Sequence, residues 1–368
     1  MIGPEELVAR LKGEGIEFYA GVPDSLLQDF CAYIEDAAPI NIITANEGNA
    51  VGLAAGHYLA TGKPALVYMQ NSGLGNAVNP LVSLMDEEVY QIPVLLLVGW
   101  RGEPGVKDEP QHVKQGKITL SLLETMGIDY TVLDEGSTVG NLWDQAAPVL
   151  SGKKPFAVVV KKGVFSPYKL RNVKDDISSL ERETAIRIVT ESLDAGDLVV
   201  ATTGKISREL YEIREALGQN HSSDFLTVGS MGHTSQIALG IALSRPDKTV
   251  YCFDGDGSVL MHMGSLPVNA SLKVENFRHL VFNNGAHDSV GGQPTVADEV
   301  SLAVIAKASG VDKVRTVSGV DELKEALTDM KQGRLQFLEI LVKKGSRKDL
   351  GRPAIPPREC KDNFRELL

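Results

Sequence analysis

Cysteine is scarce, with only Cys31, Cys252 and Cys360 among 368 residues. They lie far apart and lack the paired spacing of a zinc or redox site. This excludes a disulfide-stapled scaffold and leads us to expect buried, inert thiols in a reduced cytoplasm. Long apolar runs are also missing. The longest, Ile92 to Val98, is far below the roughly 18 residues of a membrane span and reads as a buried strand. The start, Met1-Ile2-Gly3-Pro4-Glu5-Glu6, has neither the basic opening nor the apolar stretch of a signal peptide. Positive charge is short: Lys and Arg total 37 against 48 Asp and Glu, a net charge of −11. This charge balance disfavours a nucleic-acid backbone as partner, and any small anion needs a local device to hold it. No low-complexity segment or short repeat is present, which argues against solenoids and disordered tails.

What the chain does contain is a rhythm. Apolar runs of strand length recur at 17–20, 40–44, 65–69, 94–98 and 156–160, separated by helical stretches such as Asn49 to Leu59. The rhythm restarts at 198–201, 225–228, 250–253, 279–282 and 337–341. Strands apolar on both faces and alternating with helices predict parallel sheets covered on both sides. The fold expected is α/β, with two doubly wound parallel-sheet domains. Residues 166–180, with Pro167, Arg171, Lys174, Asp175 and Asp176, show little periodicity and form the expected linker between domains at 1–165 and 181–368. The last stretch, 345–368, is expected to be irregular.

The chemistry concentrates at strand ends. Val250-Tyr251-Cys252-Phe253 runs into Asp254-Gly255-Asp256-Gly257-Ser258, where a helix is expected to open at Ser258. Ligands of parallel sheets collect at the carboxyl ends of strands, and a helix N-terminus there offers free N–H groups to phosphate. Glycine lets the backbone approach closely, and Asp256 supplies a hard oxygen. The next strand ends in Asn283-Asn284-Gly285-Ala286, where the Asn284 amide oxygen and a backbone carbonyl near Ala286 can complete an oxygen-rich pocket suited to magnesium. Read apart, the two motifs are ordinary turns; read together, they sit at the ends of consecutive strands.

This pairing resembles the diphosphate and metal signature of the thiamine-diphosphate enzymes. By that resemblance Asp256, Asn284 and the Ala286 carbonyl hold Mg²⁺ against the cofactor diphosphate, with Gly255, Gly257 and Ser258 around it. Gly229-Ser230-Met231-Gly232-His233 looks like the second diphosphate-contacting loop. In the first half, Ile43-Thr44-Ala45-Asn46-Glu47-Gly48 places a glutamate at the start of a small-residue helix. Alone, Glu47 reads as an acid complementing the helix dipole. With the residues that follow, through Lys63-Pro64, the segment resembles the family stretch whose glutamate activates the cofactor's pyrimidine ring. Asn71-Ser72-Gly73-Leu74-Gly75-Asn76 looks like the loop beside that ring, with Ser72 and Gly73 as its contacts. The resemblance makes the first domain pyrimidine-binding and the second diphosphate-binding. It also implies a homo-oligomer, a dimer at least, because in the family the glutamate and the diphosphate site belong to different subunits. Gly204-Lys205-Ile206-Ser207 is not a P-loop, since Val199 stands where a glycine is required and Ile206 where a Ser or Thr is.

Three further strings narrow the family: Val67 to Gly73, Gly99-Trp100-Arg101-Gly102-Glu103-Pro104 continuing through Lys107-Asp108-Glu109-Pro110-Gln111-His112, and Asn283 to Pro294. They resemble the phosphonopyruvate decarboxylase family, with the sulfopyruvate decarboxylases nearest to it. The similarity extends over nearly the whole chain and leaves no room for a middle domain. It implies decarboxylation of 3-phosphonopyruvate to phosphonoacetaldehyde and CO₂, a step toward 2-aminoethylphosphonate. Asp24, in Gly21-Val22-Pro23-Asp24-Ser25, resembles the polar residue beside the substrate of 2-oxo-acid decarboxylases and can relay a proton, or it can cap the following helix. His112 and His287 are further catalytic candidates. For the phosphonate the candidates are Ser25, Arg101, Lys107, Arg347 and Arg352, the last two within the basic run 343–352 that otherwise reads as a solvated surface. A sulfopyruvate decarboxylase or a thiamine-dependent carboligase would share every cofactor motif. A non-catalytic cofactor-binding subunit would be expected to lack either Glu47 or Asp256.

Overall fold

The apolar runs become the central strands of two parallel sheets. A computed structural model describes residues 1–368, and the chain divides into two compact units, Met1–Val173 and Lys174–Leu368. That division falls inside the segment 166–180. No helix is long and apolar enough to cross a membrane.

The first unit holds β1 (Phe18–Gly21), β2 (Ile40–Ile43), β3 (Ala65–Gln70), β4 (Val94–Gly99), β5 (Asp129–Leu133) and β6 (Phe156–Val160), in the order β2-β1-β3-β4-β6-β5. The second holds β7 (Leu198–Ala201), β8 (Asp224–Leu226), β9 (Val250–Gly255), β10 (Phe277–Asn283), β11 (Val314–Val317) and β12 (Phe337–Leu341), in the order β11-β12-β10-β9-β7-β8. Read from the opposite edge, the second order is the first repeated. Every pairing is parallel.

Alternation explains why the central strands are apolar throughout. In the first sheet Leu66, Tyr68, Leu95 and Leu97 enter one core, while Val67, Met69, Leu96 and Val98 enter the core on the other face. In the second sheet Phe253 and Phe282 face one core with Tyr251 and Leu280, while Val250 and Cys252 face another.

Four expectations need correction. Strands β5 and β11 lie at sheet edges, half-exposed, so they lack the unbroken apolar run that marks the others. The run at 225–228 is a strand only over Asp224–Leu226, where the buried Asp224 is clamped by Arg214 at 2.8 and 2.9 Å. The helix expected at Ser258 opens at Asp256. The tail is not irregular throughout: Pro357–Leu367 is a helix whose Phe364 is buried and packs on Phe225 at 5.8 Å. One anchoring aromatic in an otherwise charged segment shows little periodicity, and tertiary contact supplies what it lacks. All three cysteines are unbonded, two of them buried.

Candidate active site

In the second unit β9 and β10 run side by side with Gly255 opposite Phe282. Asp256 and Asn283-Asn284 therefore leave the sheet at the same edge. Asp256 is 3% exposed and accepts the Thr295 hydroxyl at 2.5 Å. Burial pushes its carboxyl up to about 6, and the neighbouring charge of Asp288 pushes the same way. A desolvated carboxylate leaving the sheet beside the Asn284 amide is a hard oxygen donor set, which fits Mg²⁺. The Asn284 amide is oriented from both ends: Nδ2 donates to Asp288 Oδ2 at 2.6 Å, and Oδ1 accepts the Ala286 N–H at 3.1 Å. Asp288 is itself held by the buried Arg182, which also makes two bonds to the buried Glu209.

The 229–233 loop comes to the same place. Ser258 Oγ accepts the Gly232 N–H at 3.1 Å and the Thr202 hydroxyl at 3.2 Å. Gly232 has φ +86°, and a Cβ there would lie 2.5 Å from the His262 ring. Ser230 adopts φ +55°, an uncommon backbone conformation for a residue with a side chain. His287 packs on Gly257, where an added Cβ would lie 3.0 Å from its Cε1, and burial lowers its pKa to about 4. It is therefore neutral near pH 7 and offers no positive charge to a phosphonate.

In the first unit Glu47 begins the helix Glu47–Thr61, capped by the Asn46 side chain on the Asn49 N–H and ended by Gly62 with φ +70°. Glu47 is 5% exposed, accepts Asn76 Nδ2 at 2.7 Å, and has its pKa raised by burial. The 71–76 turn wraps this carboxyl so closely that a Cβ on Gly73 would lie 2.3 Å from Oε1. Asp24 follows β1, and Gln70, the last residue of β3, donates to it at 2.7 Å across the topological switch point. Asp24 is fully buried, and burial raises its pKa against the lowering influence of Gln70, the Leu26 N–H and Arg101. It accepts the Leu26 N–H, yet the helix itself begins at Gln28 with no side-chain cap, so Asp24 shapes a turn. Arg101 donates to Ser25 Oγ at 2.8 Å and makes two bonds to Asp108, at 2.5 and 2.8 Å.

Comparisons with known proteins show the family. The model of the thiamine pyrophosphate enzyme N-terminal TPP-binding domain matches residues 1–144, and that of the C-terminal TPP-binding domain matches 202–340. A phosphonopyruvate decarboxylase of Streptomyces viridochromogenes is 35% identical, over 100% of this chain and 95% of its own. One from Streptomyces hygroscopicus is 34% identical over 100% and 94%. A sulfopyruvate decarboxylase of Methanosarcina acetivorans is 31% identical over 100% and 98%. The chain belongs to the phosphonopyruvate decarboxylase family of thiamine pyrophosphate enzymes.

Set within this family, the candidate residues fall into three groups. Gly255, Asp256, Gly257, Ser258, Asn284 and Ala286 gather at the end of β9 and β10, with Gly229, Ser230 and Met231 in the loop tied to Ser258. Glu47, Ser72 and Gly73 gather in the first unit, where Ser72 donates to Gln70 and so joins the Asp24 group. Asp24, Ser25 and Arg101 form the third. His112 is half-buried at the start of the helix Pro110–Thr125, and Lys107 is exposed. Arg347 is engaged elsewhere, between Glu183, Glu212 and Asp349. The sequence reading passed over Thr295, Asp288, Gln70 and Asn76 as partners. Thr295 is the residue after the string ending at Pro294, and Asn76 closes a segment already singled out. Gln70 and Asp288 lie inside strings already singled out, but their bonds to Asp24 and Arg182 span 46 and 106 positions, and Arg182 itself gives no local signal.

Proposed function

We propose that the chain decarboxylates 3-phosphonopyruvate to phosphonoacetaldehyde and CO₂, using thiamine diphosphate and Mg²⁺. The observation behind this reading is full-length similarity to two phosphonopyruvate decarboxylases. Asp256, Asn284 and the Ala286 carbonyl would hold the metal, and Gly229, Ser230, Met231, Gly255, Gly257 and Ser258 the diphosphate. Glu47, Ser72 and Gly73 would receive the pyrimidine.

When bound, thiamine diphosphate supplies a carbon nucleophile and an acceptor for the electrons left by departing CO₂. Glu47, desolvated and held by Asn76, has the raised affinity for a proton that exchange with a ring nitrogen requires. In the overall reaction one C–C bond breaks and one C–H bond forms. Asp24, fully buried with a raised pKa and held by Gln70, would supply that proton. Arg101 and Ser25 would bind the phosphonate oxygens, with Asp108 aligning the guanidinium. Arg347, already surrounded by carboxylates, is a poorer candidate than Arg101. His287, neutral near pH 7, and His112 would serve as hydrogen-bonding groups.

A sulfopyruvate substrate is the second reading, favoured by the 31% full-length identity to such an enzyme. We place the reaction in the cytoplasm, in 2-aminoethylphosphonate biosynthesis, and in a homo-oligomer of at least two copies. The test offers phosphonopyruvate, sulfopyruvate and pyruvate separately to the purified protein with cofactor and Mg²⁺, measuring CO₂ and aldehyde. Phosphonopyruvate turning over no faster than pyruvate would overturn the reading, and faster turnover of sulfopyruvate would favour the second.

A further inference from the structure

Gln293 is 1% exposed, and neither its amide oxygen nor its amide nitrogen has a hydrogen-bond partner. An amide sealed from water with both groups unmatched is costly, and native structures rarely keep one without a reason. Its position gives the reason. The His287 N–H donates to the Gln293 carbonyl at 2.8 Å and the Thr295 N–H to the Gly285 carbonyl at 2.9 Å, making a short antiparallel hairpin around the Ala286–Pro294 bridge. Side chains alternate along such strands, so His287, Gln293 and Thr295 share one face. Thr295 from that face reaches Asp256, and His287 from that face packs on Gly257. Gln293 is thus turned to the side that meets the Gly-Asp-Gly turn. Space for its amide depends on Gly291, at φ +136°, where an added Cβ would lie 2.7 Å from Nε2 and 2.8 Å from Oε1.

The unmet groups define what is wanted: an acceptor for Nε2 and a donor for Oε1, side by side. A doubly ionised phosphonate offers acceptors alone. A hydrated Mg²⁺ on a diphosphate offers both. We propose that Gln293 is a positioning residue for the metal–diphosphate group, its Nε2 donating to a diphosphate oxygen and its Oε1 accepting from a metal-bound water. This rests on the reading that Asp256 and Asn284 hold the metal.

The test is calorimetric titration of the full-length apoprotein with thiamine diphosphate, with Mg²⁺ and with a chelator, for wild type, Gln293→Met and Gln293→Glu. Both variants are expected to weaken cofactor binding in Mg²⁺ by about 10- to 100-fold, the range for lost hydrogen bonds to charged groups. The apoprotein of Gln293→Met should melt at or above the wild-type temperature, because the amide has no protein partner to lose. Affinity within twofold of wild type overturns the proposal, including the case where only the KM for the 2-oxo acid rises. A Gln293→Met apoprotein that melts lower, with the affinity loss in proportion, makes the role structural and overturns it too. Wild-type affinity indifferent to Mg²⁺ refutes the metal reading and this proposal with it. Mg²⁺-dependent binding in the wild type with unchanged affinity in both variants refutes the role of Gln293 alone.

Discussion

Gly73→Ala tests the wrapping of Glu47 most directly. The added methyl would sit 2.3 Å from Glu47 Oε1, 2.5 Å from Cδ and 2.6 Å from Cγ. Ordinary contact begins near 3.4 Å, so the turn or the carboxylate must move by about an ångström. Overpacking of that kind costs about 1–3 kcal/mol. For a unit of this size, each kcal/mol lowers the melting temperature by about 2–4 °C. The apoprotein should therefore melt about 2–12 °C lower by calorimetry. If Glu47 exchanges protons with the cofactor as proposed, a displacement of this size should slow turnover about 100-fold. Exchange of the cofactor C2 proton, followed by NMR after acid quench, should slow alongside. Gly56→Ala is the control: it lies on the same helix with nothing within 4 Å of the added carbon. It should stabilise the chain by about 0.5–1 kcal/mol and leave exchange alone. If Gly73→Ala matched wild type in melting and exchange, the close approach of the turn to Glu47 would be refuted.

Asp256 has a pKa of about 6 when folded against 3.8 for the ordinary group. Between those values the folded state holds more proton, so apoprotein stability should fall as pH rises from about 4 to 6, by up to about 3 kcal/mol. Asp256→Asn should remove that loss and melt higher than wild type at pH 7.5, while losing Mg²⁺-dependent cofactor binding; equal melting at pH 7.5 would contradict the burial argument. Arg101→Ala should raise the KM for phosphonopyruvate about 10- to 100-fold in steady-state assays. Arg347→Ala should leave that KM unchanged, since its guanidinium is taken up by Glu183, Glu212 and Asp349. A higher KM for Arg347→Ala than for Arg101→Ala would reverse the assignment of the phosphonate site.

The parts legible in the sequence were those with local causes. A strand buried on both faces must be apolar throughout, so Val94–Gly99 and Phe156–Val160 stood out. A strand end that turns sharply needs glycine, so Gly255-Asp256-Gly257 and the Asn283-Asn284 turn were visible as strings. Edge strands such as Asp129–Leu133 need only part of that signal and escaped. The helix at Pro357–Leu367 escaped because only Phe364 is fully buried, with Cys360 partly buried against the core, in an otherwise charged segment. Among site residues, what escaped was support from a distance: Gln70 bonds a residue 46 positions away, and Thr295 one 39 positions away. Arg347 lay within the densest basic run, but charge counted along a chain does not reveal that three acids meet it in space.

The repeated strand order has a consequence for how the two halves tolerate change. Each has a hydrogen bond spanning its first and third strands at the switch point: Asp24 with Gln70 in one, Thr202 with Ser258 in the other. The bonded residues do not correspond by register, Val22 being the counterpart of Thr202, so the two switch points carry different chemistry on one scaffold. One crevice holds the buried Asp24 against Gln70, and the other holds the buried Asp256 against Thr295. A substitution tolerated at a fold position in one half is therefore no guide to its counterpart. A profile averaged over the two halves would conserve the scaffold and blur the chemistry.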